Sequence, residues 1–219
     1  SVSLLGKQIE NNGLISAKLG SVNFAAGREA VVTFDNEGKV GVRITDALLE
    51  SDIGVDPAVV NIGDIQAEGG KVLLTASTSQ DIFSQAVNNG ELDYNRSVVV
   101  NSDGSFTIGD GADIANTGLI NVSGEQAGDV VIVGENITHS GEINADSYSN
   151  SKAAVSAGHV EIHSRDTTLL TESSVVTANA VLGMGGDIKL LGDHVGLVEQ
   201  AQVSATGMSE GGQILVGGD

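Results

Sequence analysis

The chain has 219 residues, 30 of them glycine, with one proline and neither cysteine nor tryptophan. That length can bury a sizeable core, and the glycines lack the triplet period of collagen. A formal charge of -19 without a basic stripe argues against nucleic acid and anionic membrane surfaces as partners. No apolar run is long enough to span a bilayer as a helix, so no membrane insertion is expected.

In chain order, residues 4–24 alternate apolar and polar positions, with Ile9, Ile15, Ala17, Val22 and Phe24 in one phase and Gly13 and Gly20 at breaks. A period of two predicts short strands with one buried face. Residues 31–34 and 40–44 flank the loop 35–39 and read as a hairpin. Residues 45–50 read as one or two helical turns with Thr45 as the N-cap. Together these make 28–57 an excursion. The first pattern returns over 59–76. Residues 77–87 then form the best helix candidate, with Ser79 as cap and Ile82, Phe83, Ala86 and Val87 as its apolar face. Short strands at 92–100 and 106–108 complete a second excursion, 77–113. From Ile114 onward the pattern repeats with little interruption except a Ser/Asn/Ala-rich loop at 148–156.

The repeats align on a small residue: Gly13, Gly63, Gly118, Gly141, Ser174 and Ala201. Four positions earlier stand Ile9, Val59, Ile114, Ile137, Leu170 and Leu197. Two earlier stand Asn11, Asn61, Asn116, His139, Glu172 and Glu199, which read as a corner column. Two later come Ile15, Ile65, Ile120, Ile143, Val176 and Val203. A second glycine (Gly20, Gly70, Gly128, Gly158, Gly186, Gly212) opens the next strand each time. Coils of this kind cannot bury their apolar face alone and stack on one another. The expected fold is therefore all-β, a parallel β-helix solenoid with a hairpin excursion and one or two short helices. It forms a single segment over residues 1–219, with about eight or nine coils rising roughly 40 Å. An antiparallel sandwich fits the recurrent inward positions less well. The chain begins in mid-pattern without a signal peptide, so it reads as part of a longer chain.

Candidate chemistry is sparse. His159, Glu161 and His163 alternate outward on one strand, which spaces the histidines about 13 Å apart, too far to share a metal. A rung pair between Glu161 and Lys189 is the sharper expectation, with Val131 on the other side of Glu161. The turns at Asp103-Gly104, at Asp110-Gly111-Ala112-Asp113 and at Asp35-Asn36-Glu37 offer oxygen ligands, but calcium needs six or more to converge, so turn chemistry explains them. Sugar stacking would draw on Tyr94 and Tyr148, since Phe24 and Phe83 occupy apolar positions. Sequons begin at Asn95, Asn121 and Asn136. No catalytic, cofactor or metal set is expected.

The stretches LLGKQIENNGLISAKLGSVNFAAGREAVVTFDNEG and VVNIGDIQAEGGKVLLTAS, with the closing GGQILVGGD, resemble the filamentous haemagglutinin family over nearly the whole chain. These are large exoproteins of two-partner secretion in Gram-negative bacteria. The resemblance implies a right-handed helix and a secreted or cell-surface location. It also implies an outer-membrane transporter as partner of the full-length protein. The implied role is adhesion, aggregation or biofilm formation through a host-cell, matrix or polysaccharide ligand, by a monomeric rod. The family's Asn-Pro-Asn-Gly secretion motif is absent, which places the segment at the end of the secretion domain and the adjoining shaft. Two other readings are the shaft of a contact-dependent toxin or haemolysin and a polysaccharide-cleaving β-helix enzyme. The latter would need an acidic or basic cluster on one outer face.

Overall fold

A computed structural model describes residues 1–27, 29–34, 40–46, 58–76, 98–100, 106–108, 113–149 and 155–218. Every regular element among them is a β-strand, and the principal sheets are parallel. One arm of the largest sheet stacks β1 (Val2–Gly6), β4 (Ser21–Ala26), β9 (Lys71–Ala76), β14 (Asp129–His139), β16 (His159–Leu170), β18 (Asp187–Leu191) and β21 (Gln213–Val216). The other arm stacks β2 (Ile9–Asn11), β7 (Val59–Asn61), β12 (Ile114–Asn116), the far halves of β14 and β16, and β19 (His194–Leu197). Strands β14 and β16 run through both arms and join them, with a register shift between Gly134 and Asn136. A separate sheet of six stacks β3 (Leu14–Ser16), β8 (Asp64–Gln66), β13 (Leu119–Asn121), β15 (Glu142–Asn144), β17 (Val175–Thr177) and β20 (Gln202–Ser204).

Among the described residues six levels are therefore present in this sheet, fewer than the eight or nine expected. β5 (Glu29–Phe34) with β6 (Val40–Asp46), and β10 (Val98–Val100) with β11 (Phe106–Ile108), are antiparallel pairs and add no rung. Thr45 lies within β6 rather than capping a helix, because the hairpin ladder continues to Asp46 opposite Glu29. The other helix candidates, 47–50 and 77–87, lie outside the described residues.

The core is built from columns. Phe24, Leu74, Ile132, Ile162 and Leu190 register on one another, as do Ile65, Ile120, Ile143 and Val176. All are fully buried. Each such side chain contributes about 1.5–3 kcal/mol by leaving water. Ile9, Val22 and Phe24 are buried as expected, and Ile15 and Ala17 pack against the core from the end rung.

Glycine is required where backbone stacks on backbone. A Cβ on Gly70 would lie 2.0 Å from Gly20 O, and one on Gly128 only 1.7 Å from Gly70 O. The same collision recurs at Gly158, Gly186 and Gly212, so this column admits no side chain.

The first corner behaves likewise through Gly63, Gly118 and Gly141, each of whose Cβ positions falls 2.0–2.1 Å from the carbonyl of the glycine before it. Above that level the corner changes. Two residues separate Asn11 from Leu14, but four separate Leu170 from Val175 and Leu197 from Gln202. The long corners place Glu172 (φ 55°), Ser173 (φ 62°), Glu199 (φ 52°) and Gln200 (φ 71°) in the left-handed region.

The lengthened corner corrects the column assignment. Leu170 registers on His139, and Thr168 takes the place above Ile137. Leu197 and Val195 follow in the next rung. Glu172 and Glu199 are in the corner turns and do not continue the asparagine column.

Candidate functional site

Two polar features run along the stack, one inside and one outside. The inner one is the column Asn11, Asn61, Asn116 and His139, all buried. Asn11 Nδ2 donates to Asn61 Oδ1 at 2.7 Å, and Asn61 Nδ2 donates to Asn116 Oδ1 at 2.7 Å. Asn116 Nδ2 then lies 2.9 Å from His139 Nδ1. Gly13 N–H donates to Asn11 Oδ1 at 3.2 Å, which closes the lower end. The amides satisfy one another, as buried polar groups must. The His139 Nε2 at the upper end makes no hydrogen bond.

The outer feature is a set of ion pairs that connect neighbouring levels. Lys71 Nζ faces Asp129 at 3.8 Å, Lys189 Nζ faces Glu161 at 3.5 Å, and Arg165 Nη2 bonds Glu135 Oε1 at 2.6 Å. The Glu161–Lys189 pair is the rung contact expected from the sequence, and Val131 registers on the other side of Glu161. His159 Nε2 also approaches Glu161 Oε2 at 3.4 Å. The His159 contact first, and Lys189 in addition, hold the Glu161 carboxyl below its ordinary value, against the burial that raises it. His159, Glu161 and His163 are half-buried rather than fully open.

The sequence did not single out the groups around the bend in β14. Asn136 Nδ2 donates to Asp113 Oδ1 at 2.9 Å, and His194 Nδ1 sits 3.1 Å from Asp166 Oδ1. Burial first, then the charges of Asp113 and Asp166, push the Glu135 carboxyl up to about 7. The Arg165 guanidinium opposes that rise. The only signal in the sequence was the recurrence of charge at this bend, as Gly134-Glu135 and Arg165-Asp166. Among the described residues, no group of three His, Cys, Asp or Glu side chains is placed to hold a metal ion.

Other candidates resolve into local structure. Asn121 Oδ1 accepts from Ser123 N at 2.9 Å and from Ser123 Oγ at 2.5 Å, so this sequon folds as a turn in which Ser123 is buried. The Asn136 amide is engaged with Asp113. Tyr148, Val181 and Met208 are exposed, each following a member of the bridged column Ser147, Ala180 and Gly207. Asp35, Asn36, Glu37, Phe83, Tyr94, Asn95, Asp103 and Asp110 lie outside the described residues.

With this geometry in place, comparison with known proteins finds no matching family model, and no significant likeness to a curated protein or a solved structure.

Proposed function

We propose that the chain is a right-handed parallel β-helix serving as a structural and adhesive segment of a secreted bacterial adhesin of the filamentous haemagglutinin type. Its work is mechanical: a stiff stack that carries binding surfaces away from the cell. The supporting observation is the unbroken register of the core columns through every level of the six-stranded sheet. Parallel levels bonded along one axis resist bending and shear together, because each rung supplies both hydrogen bonds and apolar contacts to the next. The outer ion pairs link adjacent levels and fit a surface that braces the stack.

Two measurements test this. Small-angle scattering should give an elongated particle, with six levels rising about 30 Å at the usual strand spacing. Beads coated with the protein should attach to epithelial cells or to biofilm matrix more than beads coated with a charge-matched protein. A compact sphere would end the shaft reading, and equal attachment would end the adhesive one.

A further inference from the structure

The inner polar column has a direction. The Gly13 N–H is a fixed donor, so the Asn11 atom it bonds is the carbonyl oxygen, and Asn11 must offer its amide nitrogen upward. Asn61 and Asn116 repeat that orientation. Asn116 therefore presents N–H groups to His139 Nδ1 at 2.9 Å, and only an unprotonated Nδ1 can accept one. The other Nδ1 contact, to Asn116 O at 3.2 Å, would require the opposite tautomer and an unpaired Asn116 N–H.

We propose that His139 is a proton-operated joint: neutral, with its proton on Nε2, it accepts the last bond of the asparagine ladder, and protonation in acid cuts the ladder where the short corner gives way to the long one.

The protonated ring keeps only backbone carbonyls, at Asn116 and Val175, as acceptors and loses the bond from the Asn116 amide. It would turn an N–H of Nδ1 against the Asn116 amide and leave a charge in a fully buried site. Among the described residues no counter-charge is bonded to the ring. Strands β12 and β17 carry no titratable residue. On its own strand stand Asp129 and Glu135, on β15 Glu142, and on β16 with its corner His159, Glu161, His163, Arg165, Asp166 and Glu172. None of these is bonded to the ring; its polar neighbours are Asn116 and the backbone at Val175. Burial pushes the imidazole down to about 4, against a smaller upward pull from the backbone at Asn116 and Val175. The unfolded chain takes up this proton near 6.5 and the folded one only near 4. Stability from this site is thus complete above pH 6.5 and is lost as the pH falls from 6.5 towards 4.

The test compares the parent protein with His139→Asn, which extends the ladder without titrating. Denaturant unfolding is followed from pH 7.5 to 4.5. Relative to the variant, the parent's unfolding constant should rise about 30-fold between pH 7.5 and pH 5. Glu135 titrates in the opposite sense, gaining stability as pH falls from about 7 towards 4.5, but both proteins carry it and it cancels. Nitrogen-15 shifts of the labelled imidazole give a reading that does not depend on the variant folding. They should show a bare Nδ1, a protonated Nε2 and no titration in the folded protein above pH 5. A proton on Nδ1, a folded-state titration near 6.5, or matching pH profiles for parent and variant would each overturn the proposal.

Discussion

The lower and upper levels of the stack turn the same corner in different ways. From β2 to β14 the chain turns in two residues and carries Asn11, Asn61, Asn116 and His139 inside; at β16 and β19 it turns in four, with Leu170 buried in that place and Leu197 above it exposed at the end level. The short corner brings backbone onto backbone, so only glycine fits. Its amides also brace it: Asn11 Oδ1 takes the Gly13 N–H, and Asn116 Nδ2 reaches Gly118 O at 3.5 Å. The long corner closes on itself instead, with Ser174 N–H donating to Thr171 O and Ala201 N–H to Val198 O, both at 3.0 Å. It needs neither glycine nor amide, and leucine can fill the interior. The cost moves to the backbone, in side-chain-bearing residues held at positive φ. Steric constraint and conformational strain are thus two solutions to one geometric problem.

The largest break in this comparison comes from exchanging the corner residues. Gly118→Ser places a Cβ 2.0 Å from Gly63 O and should destabilise by about 3 kcal/mol or more, whereas Ser174→Gly should cost under about 1 kcal/mol. Urea unfolding of the two variants measures the difference directly, and similar losses would show that the corners are not distinct.

Next in size, Asn61→Ala removes the amide bonded to both Asn11 and Asn116. It should cost about 2–4 kcal/mol, since two buried partners lose their hydrogen bond. A loss no greater than that of an exposed Asn would remove the ladder from the list of stabilising features.

The smallest expected effect sharpens the strain argument. Ser173→Gly relieves one left-handed residue and should stabilise by about 0.5–1 kcal/mol, read as a Tm a few degrees higher. A lower Tm would mean that Ser173 is not strained where it stands.

Most of this framework is visible in the residues. Period-two alternation located Ile15, Ile65, Ile120, Ile143, Val176 and Val203 in one column, because one face of each strand must be apolar at every level. The column of Asn11 was legible at four levels and misplaced at two. Aligning Ser174 with Gly141 hid two added residues, because a small residue ends both kinds of corner. The polar pair Thr171-Glu172 was the available signal, since Thr168 takes the place that Ile137 holds one level below. Thr168 is tolerated in the core because its Oγ1 donates to Leu191 O, and reaches Ser164 Oγ, both at 2.8 Å. The bend in β14 was less legible still. Charges that meet there come from residues 113, 135 and 166, and their proximity is a product of stacking rather than of sequence spacing.

One consequence concerns where this chain can accept new material. Strands β14 and β16 carry the chain directly from one arm of the large sheet to the other, past Gly134 and Asn136. At the levels below, the chain is much longer at this point in the sequence, with residues 27–58 between β4 and β7 and residues 77–113 between β9 and β12. The stack keeps its register on both sides of those interruptions. This corner is thus a port: whatever enters and leaves the stack there displaces no core residue, and closing a longer loop adds little entropy. A foreign peptide grafted between Gly134 and Asn136 would be displayed from a bend whose counterparts at two lower levels already carry long connections in this same chain.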